Sequence, residues 1–164
     1  MTNGIFRFPN PVNEKVARTV AGLVVLLTAA TLILRTPWLL GALAAGFWLR
    51  VLFGPRVSPF ALLASRVIAP RLGEANLVPG PPKRFAQGIG AALSTAALIA
   101  YALGAPPLSW VLVAMITVAA VLESVFAICL GCLIFGRLQR IGIIPATVCE
   151  ACNDIRLRRP TPVQ

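Results

Sequence analysis

Four apolar stretches fix what this chain can become. They cover residues 16–34, 37–53, 85–103 and 108–135. A helix needs about 20 apolar residues to cross the ~30 Å hydrocarbon core of a bilayer, so each stretch is long enough or nearly so. The fourth exceeds what a span needs and must tilt, or leave the membrane before its end. Lipid cannot hydrogen-bond an exposed backbone, so spans are helices or closed barrels. The runs do not alternate as barrel strands do. Hydrophobic residues make up 58% of the 164 and charged residues 12%, where a soluble domain carries about 25% charged. The expected fold is an all-α membrane protein with four transmembrane helices. The first dozen residues hold two prolines and no apolar core, so insertion without cleavage of a leader is expected.

The basic residues orient the expected bundle. Arg7, Lys15 and Arg18 precede or open the first stretch. Arg50, Arg56, Arg66, Arg71, Lys83 and Arg84 lie between the second and third, and Arg137, Arg140, Arg156, Arg158 and Arg159 follow the fourth. Of the 15 Lys and Arg, only Arg35 falls on the other side. The positive-inside rule then puts both termini and the long middle loop in the cytoplasm, as in a multi-pass protein of the cytoplasmic (inner) membrane. The net charge of +10 suits that topology and anionic lipid. It does not point to nucleic acid, because little soluble mass remains to build a basic surface. Within the middle loop, residues 61–72 place Leu62, Leu63, Val67 and Ile68 at helical spacing, which predicts a short interfacial helix. Ser58 is its candidate cap, with Pro59 at the first helical position. This loop serves as a linker with snorkelling arginines or as a docking surface for a partner.

All four cysteines lie in the last third, in two Cys-x-x-Cys pairs: Cys129/Cys132 and Cys149/Cys152. The first pair ends the transmembrane part, residues 1–136; the second lies in a polar tail, residues 137–164. The chain has no histidine, which excludes Ser-His-Asp triads, His-ligated haem and mixed Cys/His zinc sites. No Gly-rich phosphate loop follows a strand; Gly41, Gly46, Gly88 and Gly90 suit helix packing instead. The pairs admit three readings. Each is a dithiol relaying electrons or sulfane sulfur; or the four thiolates bind one zinc ion, offset by Arg137 and Arg140; or Cys129 and Cys132 are small packing residues beside Gly131. In one continuous fourth helix, Cys129 and Cys132 lie near its C-terminus, where the dipole disfavours a thiolate. At the tail pair, Glu150 and Asp154 act the same way, and Arg156, Arg158 and Arg159 oppose them.

One acid, Glu123, lies inside the fourth stretch. Arg50, near the inner end of the second, is its expected partner, as a structural ion pair or as a proton or ligand site in the bundle. On a regular helix Glu123 points about 120° from Cys129 and about 180° from Cys132, so it should not serve those thiols directly.

Several short motifs resemble one family. They are Phe8-Pro-Asn-Pro-Val-Asn-Glu-Lys15, Arg50-Val-Leu-Phe-Gly-Pro-Arg56 with Ser58-Pro59, Val78-Pro-Gly-Pro-Pro-Lys-Arg-Phe-Ala-Gln-Gly-Ile-Gly90, and Phe126-Ala-Ile-Cys-Leu-Gly-Cys132 preceded by Glu123. Over roughly residues 6–136 the chain is similar to small bacterial membrane proteins, common in actinobacteria, known only as a domain of unknown function. That resemblance implies four membrane helices. Relatives lying beside thioredoxin-like and sulfurtransferase genes add an implied link to thiol or sulfur chemistry. The tail pair lies outside the resemblance.

The leading expectation is a membrane thiol protein. It would handle reducing equivalents or sulfur through Cys129/Cys132 and Cys149/Cys152, with a soluble thioredoxin-like or sulfurtransferase partner. The rivals are a non-enzymatic scaffold holding zinc on the four cysteines, and a small transporter for a sulfur anion attracted by Arg50. Four helices are few for a transporter, so that reading also requires a homo-oligomer.

Overall fold

The computed structural model describes residues 10–54, 58–68, 71, 73 and 76–149. A two-residue strand β1 (Val12–Asn13) leads into α1 (Glu14–Leu34), followed by α2 (Pro37–Phe53). A short α3 (Pro59–Leu63) continues as a wide π-type turn (Ala64–Ile68). Strand β2 (Leu77–Val78) then leads into α4 (Gly80–Ala102), α5 (Pro106–Phe126), α6 (Leu130–Arg140) and a final 3-10 turn (Ala146–Val148). Helices α1, α4 and α5 are long and apolar enough to cross a membrane. Helix α2 is apolar but has 17 residues, a length of roughly 25 Å. The four similar spans expected from the sequence are therefore three long helices and a shorter one.

The helices form a ring. α1 lies along α5, α5 along α4, α4 along α2, and α2 returns to α1. Leu40, Leu43, Ala44, Phe47 and Arg50 of α2 are all buried. Their spacing of three and four residues marks one face of a helix. Leu40, Leu43 and Phe47 meet Val24, Ala91, Ala97, Val113, Ile116 and Ala120 to form the core. Many large apolar side chains face outward, among them Trp38, Ile99, Met115 and Val125. Such a surface suits lipid and is unusual for a water-facing monomer.

Two loop motifs that are far apart in the sequence form one clamp. β1 pairs antiparallel with β2, with Val12 opposite Val78 and Asn13 opposite Leu77. The Glu14 N–H donates to the Asn76 carbonyl at 2.7 Å, and the Asn76 amide donates to the Glu14 carboxylate. The Gly80 N–H donates to Asn10 Oδ1 at 3.0 Å. The Asn13 side chain caps α1 by accepting from the Lys15 N–H at 3.0 Å.

The interfacial segment departs from its sequence reading. Ser58 stands at the N-cap of α3 with Pro59 at the first helical position, yet its side chain makes no cap hydrogen bond. Its buried hydroxyl has no partner among the described residues. The face turned to the bundle is Ala61 and Ala64, packed on Val16 and Val20 of α1; Leu63 and Val67 face outward. Small residues let the segment approach α1 closely, and the larger ones cover the outside. Residues 69, 70 and 72 of the expected helix lie outside the described residues.

The fourth apolar stretch is broken, which corrects the reading of one continuous helix. α5 stops at Phe126, and Ala127 takes the left-handed conformation with φ 59°. The N–H groups of Ala127 and Ile128 both donate to the Leu122 carbonyl. This is a common way to end a helix, usually with glycine at the left-handed residue. Arg18 of α1 seals the end: its Nε and Nη2 donate to the Ser124 carbonyl at 3.2 and 3.1 Å, and Nη2 also donates to the Val125 carbonyl at 3.0 Å. A cation at a helix C-terminus is favourable. The division expected after residue 136 falls inside α6, which runs on to Arg140.

Candidate functional site

The break changes the electrostatics of the first cysteine pair. Cys129 is the N-cap of α6, and its sulfur accepts from the Cys132 N–H at 3.3 Å. The pair therefore sits at the positive end of a helix, where partial charge favours a thiolate. The expectation of a helix C-terminus, with its opposite effect, is corrected. Cys129 and Cys132 are joined by a disulfide, their Cα atoms 5.2 Å apart. Cys129 is buried, 8% exposed, and Cys132 is half-buried, so the pair has an inner and an outer sulfur.

Close packing of backbone against backbone holds this turn. A Cβ on Gly131 would stand 2.5 Å from both Cα and Cβ of Ala86 on α4. Only glycine lets the first turn of α6 lie so near α4. One turn further on, Phe135 packs edge-on against Phe85, ring centres 5.6 Å apart.

The inner sulfur faces a small cavity of about 110 Å³, whose walls include Glu123, Arg50, Gln87, Gly90 and Gly131 as well as Cys129. The break thus brings Glu123 and Cys129 to one space, where a continuous helix would have pointed them apart. Glu123 does not form an ion pair with Arg50, as the sequence suggested. Its partner is Lys83 of α4, at 2.6 Å, in a largely buried contact. Arg50 is 4% exposed. Its Nε donates to the Gly46 carbonyl at 3.0 Å, and its guanidinium lies 4.5 Å above the centre of the Phe47 ring, a cation–π contact. The Nη1 of Arg50 and the Oε1 of Gln87 are buried without hydrogen-bond partners among the described residues.

A larger cavity of about 550 Å³ adjoins the first. It shares Arg50 and Gln87 with it and adds Lys83 and Arg66. Its remaining walls come mainly from β1, the start of α1, and α3. Lys83 and Gln87 were missed in the sequence reading. The signal for them was Pro81-Pro82, which fits the first turn of a helix as well as a stiff loop.

Cys149 of the tail pair lies elsewhere. Cys149 is buried and disulfide-bonded, and its carbonyl accepts from Gln139 Nε2 at 3.3 Å. Gln139 stands near the C-terminal end of α6, roughly 15 Å of helix rise from Cys129. The described residues thus keep Cys149 at the opposite end of α6 from the first pair. Among them, no three His, Cys, Asp or Glu side chains gather as a metal site would require. Cys152 lies outside the described residues, as do Glu150, Asp154 and the arginines after them.

The fold and site define a class: a mostly helical protein with membrane-length helices and a Cys-x-x-Cys disulfide capping a short helix beside a charged cavity. Residues 12–140 match the family described as Domain of unknown function (DUF4395), and the chain belongs to that family. No curated protein and no solved structure matches it.

Proposed function

We propose that this is a four-pass membrane thiol–disulfide protein, with both termini and its cysteines at the cytoplasmic face of the inner membrane. It exchanges reducing equivalents with a soluble dithiol partner of the thioredoxin-like or sulfurtransferase kind. The observation that carries this reading is Cys129 at the N-terminus of α6, buried and joined to a more exposed Cys132.

In this reading the two sulfurs take different parts. A partner thiolate attacks Cys132 Sγ, the accessible sulfur. The Cys129–Cys132 bond breaks, and a new disulfide joins the partner to Cys132. Cys129 leaves as a thiolate, held by the Cys132 N–H and the positive end of α6. The partner's second thiolate then displaces Cys132, which takes up a proton. The partner has become a disulfide and this chain a dithiol; two electrons have passed from the partner to this chain. Glu123, held by Lys83, lines the same small cavity as Cys129.

Trapping tests the assignment. Under mild oxidant, Cys129→Ser should leave Cys132 to hold, as a stable mixed disulfide, a partner whose second cysteine is replaced by serine, recovered without reductant and released by it. Cys132→Ser should trap far less, because Cys129 is buried. Equal trapping by both variants would remove the assigned roles. No trapping by either, with zinc bound stoichiometrically and thiols titrating only after chelation, would move the reading to a zinc scaffold.

A further inference from the structure

We propose that the larger cavity binds the headgroup of an anionic phospholipid, with its phosphate on Arg50 and a headgroup hydroxyl on Gln87. Unbalanced charge is the first reason. Among the described residues lining either cavity, Glu123 is the only acid, and Lys83 already engages it at 2.6 Å. Arg50 is left almost fully buried with a guanidinium nitrogen unpartnered among the described residues; Glu123 acts on it only beyond ion-pair contact and is shared with Lys83. Buried cations are paired or ligated, because losing water is costly. Phe47 and the Gly46 carbonyl supply no net charge. An anion completes the site.

Shape then separates a lipid from a small ion. A bare phosphate or thiosulfate fills only a fraction of about 550 Å³, a volume in the range of drug-sized ligands. The cations Arg50, Arg66 and Lys83 are set among Val12, Val16, Val20, Ala61 and Leu62. Apolar walls around a cationic floor fit a phosphate that carries glycerol and the beginning of acyl chains. The two unpartnered groups are complementary: Arg50 Nη1 needs an acceptor and Gln87 Oε1 needs a donor. Phosphatidylglycerol offers both, with hydroxyls next to its phosphate. Location agrees. The cavity lies at the end of the bundle that carries most of the basic residues, between α1, α2, α4 and α3. Basic pockets between membrane helices on such a face bind anionic headgroups.

The test uses the full-length protein, purified in neutral detergent and delipidated. Phosphatidylglycerol, phosphatidylcholine, inorganic phosphate and thiosulfate are each titrated in. Bound lipid is counted by native mass spectrometry, and the thermal midpoint is recorded. The expected result is one phosphatidylglycerol per chain and a raised midpoint, with phosphatidylcholine at least tenfold weaker and the small anions without effect. Arg50→Gln should weaken phosphatidylglycerol at least tenfold. Ala17→Phe, which fills the cavity and keeps every charge, should do the same and carries the test if R50Q does not fold. Equal binding of both lipids would overturn the proposal. So would stabilisation by phosphate or thiosulfate matching that by phosphatidylglycerol, which would mark a small-anion site. Retention of phosphatidylglycerol by folded R50Q and A17F would overturn it too. Cys129→Ser should bind lipid normally, so this proposal and the thiol reading fail separately.

Discussion

Replacing Gly131 by alanine tests whether the cysteine turn is held where the structure puts it. The added Cβ would lie 2.5 Å from Cα and Cβ of Ala86 and 3.3 Å from its backbone nitrogen. Carbon atoms settle at about 3.5–4.0 Å, so α6 must retreat from α4 by about 1 Å. Ala86 cannot swing aside, because two of the three atoms in the way are backbone inside α4. Overpacking of this kind costs about 1–3 kcal/mol. Against it, alanine returns up to about 1 kcal/mol of helix propensity over glycine, less in a first turn. The net expectation is a loss of about 1–2 kcal/mol. The retreat also disturbs the 3.3 Å contact between Cys129 Sγ and the Cys132 N–H, so a small dithiol should reduce the disulfide at a changed rate. Unfolding in detergent, followed by tryptophan fluorescence, reads the first effect; alkylation after timed reduction reads the second. Gly136→Ala is the control: the same helix, with nothing within 4 Å of an added Cβ. There propensity acts alone, and stability should rise by up to about 1 kcal/mol. If G131A matches G136A in stability and wild type in reduction rate, α6 does not rest on α4 as described.

Three further changes probe the surroundings of the site by the same unfolding measurement. Glu123→Gln should cost about 3 kcal/mol, because it leaves Lys83 and Arg50 without an acid nearby; Lys83→Met should cost less, since Arg50 remains beside Glu123, and the reverse order would contradict the charge count. Ala127→Gly should stabilise by about 0.5–1 kcal/mol, by relieving the left-handed conformation at φ 59°; a loss would mean that Ala127 is not left-handed. Arg18→Met removes the donors to the Ser124 and Val125 carbonyls and should cost about 2 kcal/mol; it should also slow trapping through Cys132, and unchanged trapping would uncouple the helix break from the cysteines.

The parts of the fold legible in the sequence are those set by local chemistry. Residues 37–53 were bounded correctly because Pro37 starts a helix and Gly54 ends one, with φ 68°. The start of α4 was read five residues late, since Val78-Pro-Gly-Pro-Pro looks like a turn until its prolines are placed in a first helical turn. That shift hid Lys83 as the partner of Glu123. Arg50 was the nearer guess because it sits in an apolar run, but sequence position does not say which of two helices turns a cation toward an acid on a third. The helix break was illegible for a different reason. Phe126-Ala-Ile-Cys129 contains neither glycine nor proline, and the cation that seals the end of α5 is Arg18, 106 residues away.

That distant contact carries the chemical consequence. With a continuous fourth helix, Cys129 would sit near a C-terminus, its thiolate disfavoured and Glu123 on another face. With α5 ended at Phe126, the same residues place Cys129 at the start of α6, where the Cys132 N–H meets its sulfur, and line one cavity with Cys129 and Glu123. No cysteine or acid differs between the two arrangements; only the backbone at Ala127 and its seal by Arg18 do. The electrostatic setting of the pair is therefore a tertiary property of α1, α4 and α6 together, and a Cys-x-x-Cys in an apolar run does not declare it.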